Sequence, residues 1–168
     1  MAGYITIDIR DEDVKNLLKV MRSAGRDLRR DMGKEIRHVA QPVIEDMRSE
    51  ISGMSLPATG GEKPYSGPTG AGGITGRIAA ATKVSITGRG VRIRVNNGSL
   101  GNARKLPAYI DAGKTWRHPV MGNRRAWVSQ TASEPGWFTK TGLQHHPQIK
   151  REVTEILMRY AAQMAARL

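Results

Sequence analysis

Apolar residues recur at steps of three and four from residue 14 to residue 51: Val14, Leu17, Leu18, Met21, Leu28, Met32, Ile36, Val39, Val43, Met47 and Ile51, with Ala24 and Gly25 bridging the one gap. That period predicts a long amphipathic helix. Asp11-Glu12-Asp13 supplies an N-cap and an acidic first turn, which complements the helix dipole. Gly53 is a natural stop, and Pro42 predicts a kink near residues 38–42. About 41 residues of straight helix would span roughly 60 Å. A single small core cannot cover that length, so the helix must bend back or reach a neighbour. Its polar face carries like-charge neighbours such as Arg22–Arg26, Arg26–Arg30 and Asp27–Asp31, each costing only tenths of a kcal/mol.

The segments around this helix predict strands, a loop and a second helix. Tyr4–Arg10 places Ile5, Ile7 and Ile9 on one face at period two, which argues a strand. Residues 53–76 hold eight glycines and three prolines, a composition that predicts a long flexible arm inside one fold. Ile74–Ala81 reads as a short helical turn. Lys83–Thr87 and Val91–Val95 alternate around Gly88-Arg89-Gly90, a hairpin signature. Asn96-Asn97-Gly98 is a further turn. Pro147 at a first helical position opens a final helix with the stripe Ile149, Val153, Ile156, Leu157, Tyr160, Met164 and Leu168. The expectation is one α+β domain over 1–168, with a long N-terminal helix kinked near Pro42 and a C-terminal helix on a small, mostly antiparallel sheet.

Between hairpin and final helix lies Trp116–Phe138, which holds all three tryptophans (Trp116, Trp127, Trp137) and the only phenylalanine, Phe138. Each such ring buries roughly 150–250 Å². These four residues are therefore the candidate core or assembly cluster, with the two long helices expected to pack around them. Pro119, Gly122, Pro135 and Gly136 make the stretch turn-rich.

Charge separates the middle of the chain from its ends. The net charge is +12; residues 1–56 are balanced at ten basic and ten acidic, whereas 57–127 carry twelve basic side chains against Glu62 and Asp111. A local basic excess attracts a polyanion or an acidic protein. Arg89, Arg92, Arg94, Arg104, Lys105, Arg124 and Arg125 are the candidate surface for DNA or an acidic partner. Any binding to phosphates would be nonspecific and salt-dependent, since no recognition-helix or RNA-binding-sheet motif is visible. Cysteine is absent, which excludes disulfides and thiolate metal sites. Neither a signal-peptide h-region nor an apolar run near 18 residues is visible, so a cytosol-like compartment and no membrane are expected.

Catalytic constellations are sparse. His38, His118, His145 and His146 lack metal-ligand spacing, and no metal or cofactor is expected. His118 and Asp111 are the only pair worth weighing for acid–base work, and no nucleophile motif accompanies them. Gly113-Lys114-Thr115 fails as a phosphate loop because Ala108 stands where the first glycine is required. Gly70–Gly76 follows no convincing strand, so it is a loop rather than a dinucleotide fingerprint. The chain is not expected to be an enzyme.

The run Tyr109-Ile110-Asp111-Ala112-Gly113-Lys114-Thr115, followed by Trp116–Asn123, Trp127-Val128-Ser129-Gln130, Pro135-Gly136-Trp137-Phe138 and a last helix, resembles the tail-component family of long-tailed double-stranded DNA phages, in the form carried by phages of actinobacteria. That family is also called tail-completion or neck proteins. Asp111 stands in place of the family's usual Glu, and Lys114 is inserted before Thr115. Ile78–Val84 fits as well, and the resemblance covers nearly the whole chain.

The resemblance implies a structural virion protein at the head–tail junction, assembled in the host cytoplasm. It implies a homo-oligomeric ring, a hexamer favoured over a dodecamer, joining a connector or stopper to the tail terminator and tube. It carries no catalytic residues. A tail terminator or minor tail protein is the alternative within that class, and a nonspecific DNA-binding protein is the alternative outside it. The arm at 53–76 is expected to be ordered by a neighbour.

Overall fold

The computed structural model describes residues 6–9, 16, 19, 25–59, 73–87, 90–120 and 123–166. In chain order the elements are β1 (Thr6–Ile9), α1 (Arg26–Gly53), β2 (Ala58–Thr59), α2 (Ile74–Ala81), β3 (Thr82–Thr87), β4 (Gly90–Val95), a 3-10 segment (Asn97–Ala103), α3 (Leu106–Asp111), β5 (Trp116–Val120), β6 (Asn123–Gln130) and α4 (Thr139–Ala165). The chain is an α+β fold, as its patterning predicts. Its strands divide into two antiparallel three-stranded sheets, ordered β1-β4-β3 and β2-β6-β5.

The first sheet and the long helices make the core. Met32, Ile36, Ala40, Val43, Ile44, Met47 and Ile51 form the buried stripe of α1. Each fully buried aliphatic side chain of this kind contributes roughly 1.5–3 kcal/mol. Helix α1 packs on α4, α2 and β3. Strand β4 turns Val91, Ile93 and Val95 into the same core. Helix α4 adds Ile149, Val153, Ile156, Leu157 and Tyr160. Arg48 stitches α1 to the α2–β3 junction: its Nε–H donates to the Ala79 carbonyl at 3.1 Å and its Nη2–H to that of Thr82 at 2.9 Å. Ala79 lies in the last turn of α2, where a cation is favoured by the helix dipole, and Thr82 is its C-cap.

Three expectations are corrected. The periodic stretch from 14 to 51 is not one helix. Asn16 and Lys19 are helical, but Gly25 is an N-cap with ψ 157 and α1 starts at Arg26. Glycine weakens a helix and accepts extended backbone at little cost, so the period of the apolar face survives a break in the backbone. Helix α1 then runs on through Pro42, an exposed position where only the N–H partner of the His38 carbonyl is lost. Pro147 likewise lies inside α4 and does not open it, because that helix begins at Thr139.

The arm drawn over 53–76 has described backbone at both ends. Ala58–Thr59 pairs with Ser129–Gln130, and Ile74–Gly76 belongs to α2. Residues 60–72, with the flexibility expected of them, lie outside the described residues.

The third correction concerns the aromatic cluster. Trp137 and Phe138 meet edge to face, with centroids 5.4 Å apart and an interplanar angle of 71°. Both are buried in the main core, and Trp116 joins them there. Trp127 does not join: it is 44 % exposed. The reason is the period of two on β6. Val128 and Gln130 turn inward, so Trp127, at the alternate position before Val128, faces out.

Candidate binding surfaces and the clamp between helices

The two halves of the motif that carries the family resemblance meet in space. Asp111 ends α3, and its Oδ1 accepts the backbone N–H groups of Phe138 at 2.8 Å and Thr139 at 3.1 Å. Its Oδ2 accepts the Thr139 hydroxyl proton. Asp111 is thus the N-terminal cap of α4, reached across a sequence separation of 27 residues. No local residue does this job, since the N-cap position is Phe138, which offers no side-chain cap.

Two residues on, Gly113 has φ +62, and a Cβ there would stand 3.1 Å from Pro135 Cβ. The turn after α3 therefore needs glycine both for its left-handed backbone and for its close approach to Pro135. Lys114 donates its N–H to the Tyr109 carbonyl at 2.9 Å and holds its ammonium 5.9 Å from the Tyr109 ring centroid. Thr115 and Thr131 share a hydroxyl contact of 2.8 Å at the foot of the β5–β6 hairpin.

The basic residues of the middle segment do not form one cluster by secondary structure; they occupy three places. On β4, Arg94 is exposed and stands in register with Lys83 and Thr6, while half-buried Arg92 stands opposite Ser85 and Asp8. Both face away from buried Val91, Ile93 and Val95, as the alternation predicts. Arg89 lies outside the described residues. Arg104 and Lys105 are exposed in the turn before α3.

Arg124 and Arg125 are exposed on β6. Beside them, the Arg117 guanidinium carbon lies 6.0 Å from the Trp127 ring centroid, and Trp127 Nε1–H donates to the Arg124 carbonyl at 2.8 Å. Trp127 also stands opposite Pro119 in the ladder. A ring held by a backbone carbonyl, a proline and a guanidinium is a rigid, exposed aromatic within a basic surface. Arg117 was only part of the charge count in the sequence; the register shows that it shares the outer face with Trp127.

The inner face of the same hairpin opens on a cleft of about 770 Å³ between Leu56, the start of α2, the start of α3 and β5. His118 lies in its wall, with Nε2 2.9 Å from Gln130 Oε1 and Nδ1 3.1 Å from the Pro119 carbonyl oxygen. Gln130 Nε2–H in turn donates to the Leu56 carbonyl at 3.1 Å. His118 and Asp111 thus have different partners. Among the described residues no group of three or more His, Asp or Glu is gathered. No helix among them is long and apolar enough to cross a membrane.

At the far side of the core, Tyr160 O–H donates to Glu35 Oε1 at 2.7 Å, and Arg159 pairs with the other oxygen of Glu35. Burial first, and the Glu35 carboxylate second, push the Tyr160 hydroxyl up to about 12. His145 Nε2 lies 2.9 Å from Asp46 Oδ2. These contacts join α1 to α4.

Comparison with protein-family models, curated proteins and solved structures returns no match for this chain.

Proposed function

We propose that the chain is a structural subunit of a phage head–tail junction, assembling as a homo-oligomeric ring between connector or stopper and the tail terminator and tube. The observation that carries the reading is the β5–β6 hairpin. The stretch that resembles the tail-completion family is the one that exposes Trp127 among Arg117, Arg124 and Arg125. Tryptophan and arginine dominate the energetic centres of protein interfaces. A 44 % exposed Trp fixed by its own hairpin is preorganised for such use. The motif's other residues, Asp111 and Gly113, tie the chain just before the hairpin to the chain just after it, at Pro135 and the start of α4. The outer strands β1 and β3 of one sheet, and β2 and β5 of the other, add edges on which a neighbouring copy can pair.

The test is the mass of the purified protein in solution, followed by imaging of virions with density fitted at the neck. A defined ring that Trp127→Ala disperses is expected. A protein that stays monomeric and fails to co-assemble with connector and tail proteins overturns the reading.

A second reading, nonspecific DNA binding, rests on β4 and β3, where Arg94 and Lys83 stand side by side on the outer face of the sheet. Its signature is a steep salt dependence of DNA retention. Charge reversal at Lys83 and Arg94 that leaves retention and salt slope unchanged disposes of it.

A further inference from the structure

We propose that the cleft beneath the β5–β6 hairpin binds an anionic group, a phosphate or carboxylate, carried on an apolar body. The cleft meets the Trp127 surface only at Arg117, and the inference does not rest on ring assembly. Its volume, about 770 Å³, suits a small organic ligand.

The first observation is charge. Lys105 lines the cleft, Arg117 borders it with its guanidinium turned to Trp127, and none of the described lining residues is acidic. Leu56, Ile74, Leu106, Trp116 and Tyr109 make the apolar wall, and Asn102, Thr115, His118 and Gln130 are its neutral polar groups. This is an apolar wall with a few polar groups, the usual composition of a pocket that recognises both body and head of a ligand.

The second is the N-terminus of α2, which enters the cleft through Gly73, Ile74 and Thr75. Gly73 is the N-cap and supplies no side-chain cap, and the first helical hydrogen bond runs from the Arg77 N–H back to the Gly73 carbonyl. The N–H groups of the first turn therefore have no acceptor within the helix. They add partial positive charge at the point where an anion would sit.

The third observation is independent of the helix end. Thr75 is 1 % exposed, and its hydroxyl has no hydrogen-bond partner among the described residues. Buried hydroxyls in native proteins nearly always have one. The neighbouring Thr82, equally buried, satisfies the rule by donating to the Ile78 carbonyl at 2.9 Å. An acceptor oxygen from a ligand would complete Thr75. A phosphate or carboxylate there would take the Thr75 hydroxyl and the first-turn N–H groups, with Lys105 as the counter-charge.

Titration calorimetry with phenyl phosphate, benzoate and neutral benzyl alcohol, with Trp116 indole N–H shifts as the site marker, tests this on the full chain. The two anions are expected to bind and to move the Trp116 signal, and benzyl alcohol to bind at least about tenfold more weakly. Thr75→Val is expected to weaken the anions about tenfold. Lys105→Ala is expected to weaken them about three- to tenfold, with less salt dependence. Equal binding of benzyl alcohol, or unchanged affinity in both variants, overturns the proposal. Should Thr75→Val fail to fold, Thr75→Ser and exposed Lys105→Ala carry the test: wild-type affinity in the first and loss in the second are expected, and retention in Lys105→Ala refutes it. Failure here leaves the ring reading untouched, because that reading is judged on assembly and this one on binding of a small anion.

Discussion

Replacing Asp111 with alanine removes the cap of α4 without touching α4. Three donors converge on its carboxylate, the Phe138 and Thr139 N–H groups and the Thr139 hydroxyl. Phe138 is fully buried, so water cannot replace the lost acceptor for its N–H. Loss of a helix cap costs about 0.5–2 kcal/mol, and a buried donor left unpaired costs about 1–3 kcal/mol. The two descriptions overlap, and about 2–3 kcal/mol is expected for Asp111→Ala. For a chain of this length that lowers the melting temperature by roughly 5–10 °C. Asp111→Asn keeps one acceptor oxygen and should lose about 1 kcal/mol. Urea unfolding of both variants, with Thr139→Ala and the double variant, measures the coupling directly. A coupling of about 0.5–1.5 kcal/mol between Asp111 and Thr139 is expected. A loss below about 0.5 kcal/mol in Asp111→Ala would refute the capping argument, since the donors would then have found another acceptor.

Three further outcomes follow from the same geometry. Gly113→Ala forces a side chain into left-handed backbone and against the Pro135 ring; a loss of about 1–3 kcal/mol by chemical denaturation is expected, whereas Gly53→Ala, with open space around it, should be nearly neutral. Absorbance titration at alkaline pH should find one of the four tyrosines, Tyr160, ionising only near 12. The folded chain then holds a proton that the unfolded chain releases near 10, so this contribution to stability is whole below pH 10 and is lost as pH rises toward 12; Glu35→Gln should bring the transition down. Trp127→Ala should change stability by no more than about 1 kcal/mol, because the ring lies outside the core, while its effect on assembly is large; matched losses of both would mean that the ring holds the hairpin rather than a partner.

Much of this architecture was legible because it rests on short-range periodicity. The β3–β4 hairpin, the short helix at Ile74–Ala81 and the buried stripes of α1 and α4 all follow from steps of two, three and four. So does the outward position of Arg92 and Arg94, which strand alternation alone requires. Where one helix ends and the next begins was less legible. Apolar spacing continues across Gly25, and Pro147 looks like a helix start, yet the backbone breaks at the first and passes through the second.

The amino-acid sequence by itself determined which faces are apolar, where the charge accumulates and that helices and antiparallel strands share one α+β fold. Only the tertiary structure decided that α4 begins at Thr139, because its cap comes from Asp111 on another helix. It also separated the aromatic residues, placing Trp116, Trp137 and Phe138 inside and Trp127 outside. The cleft joining Leu56, Thr75, Lys105 and Arg117 had no signal in the sequence. Its walls come from segments far apart in the chain, and their meeting depends on how the hairpin docks. Local pattern encodes which side of an element is buried; which elements share a site depends on packing between residues that no short window contains.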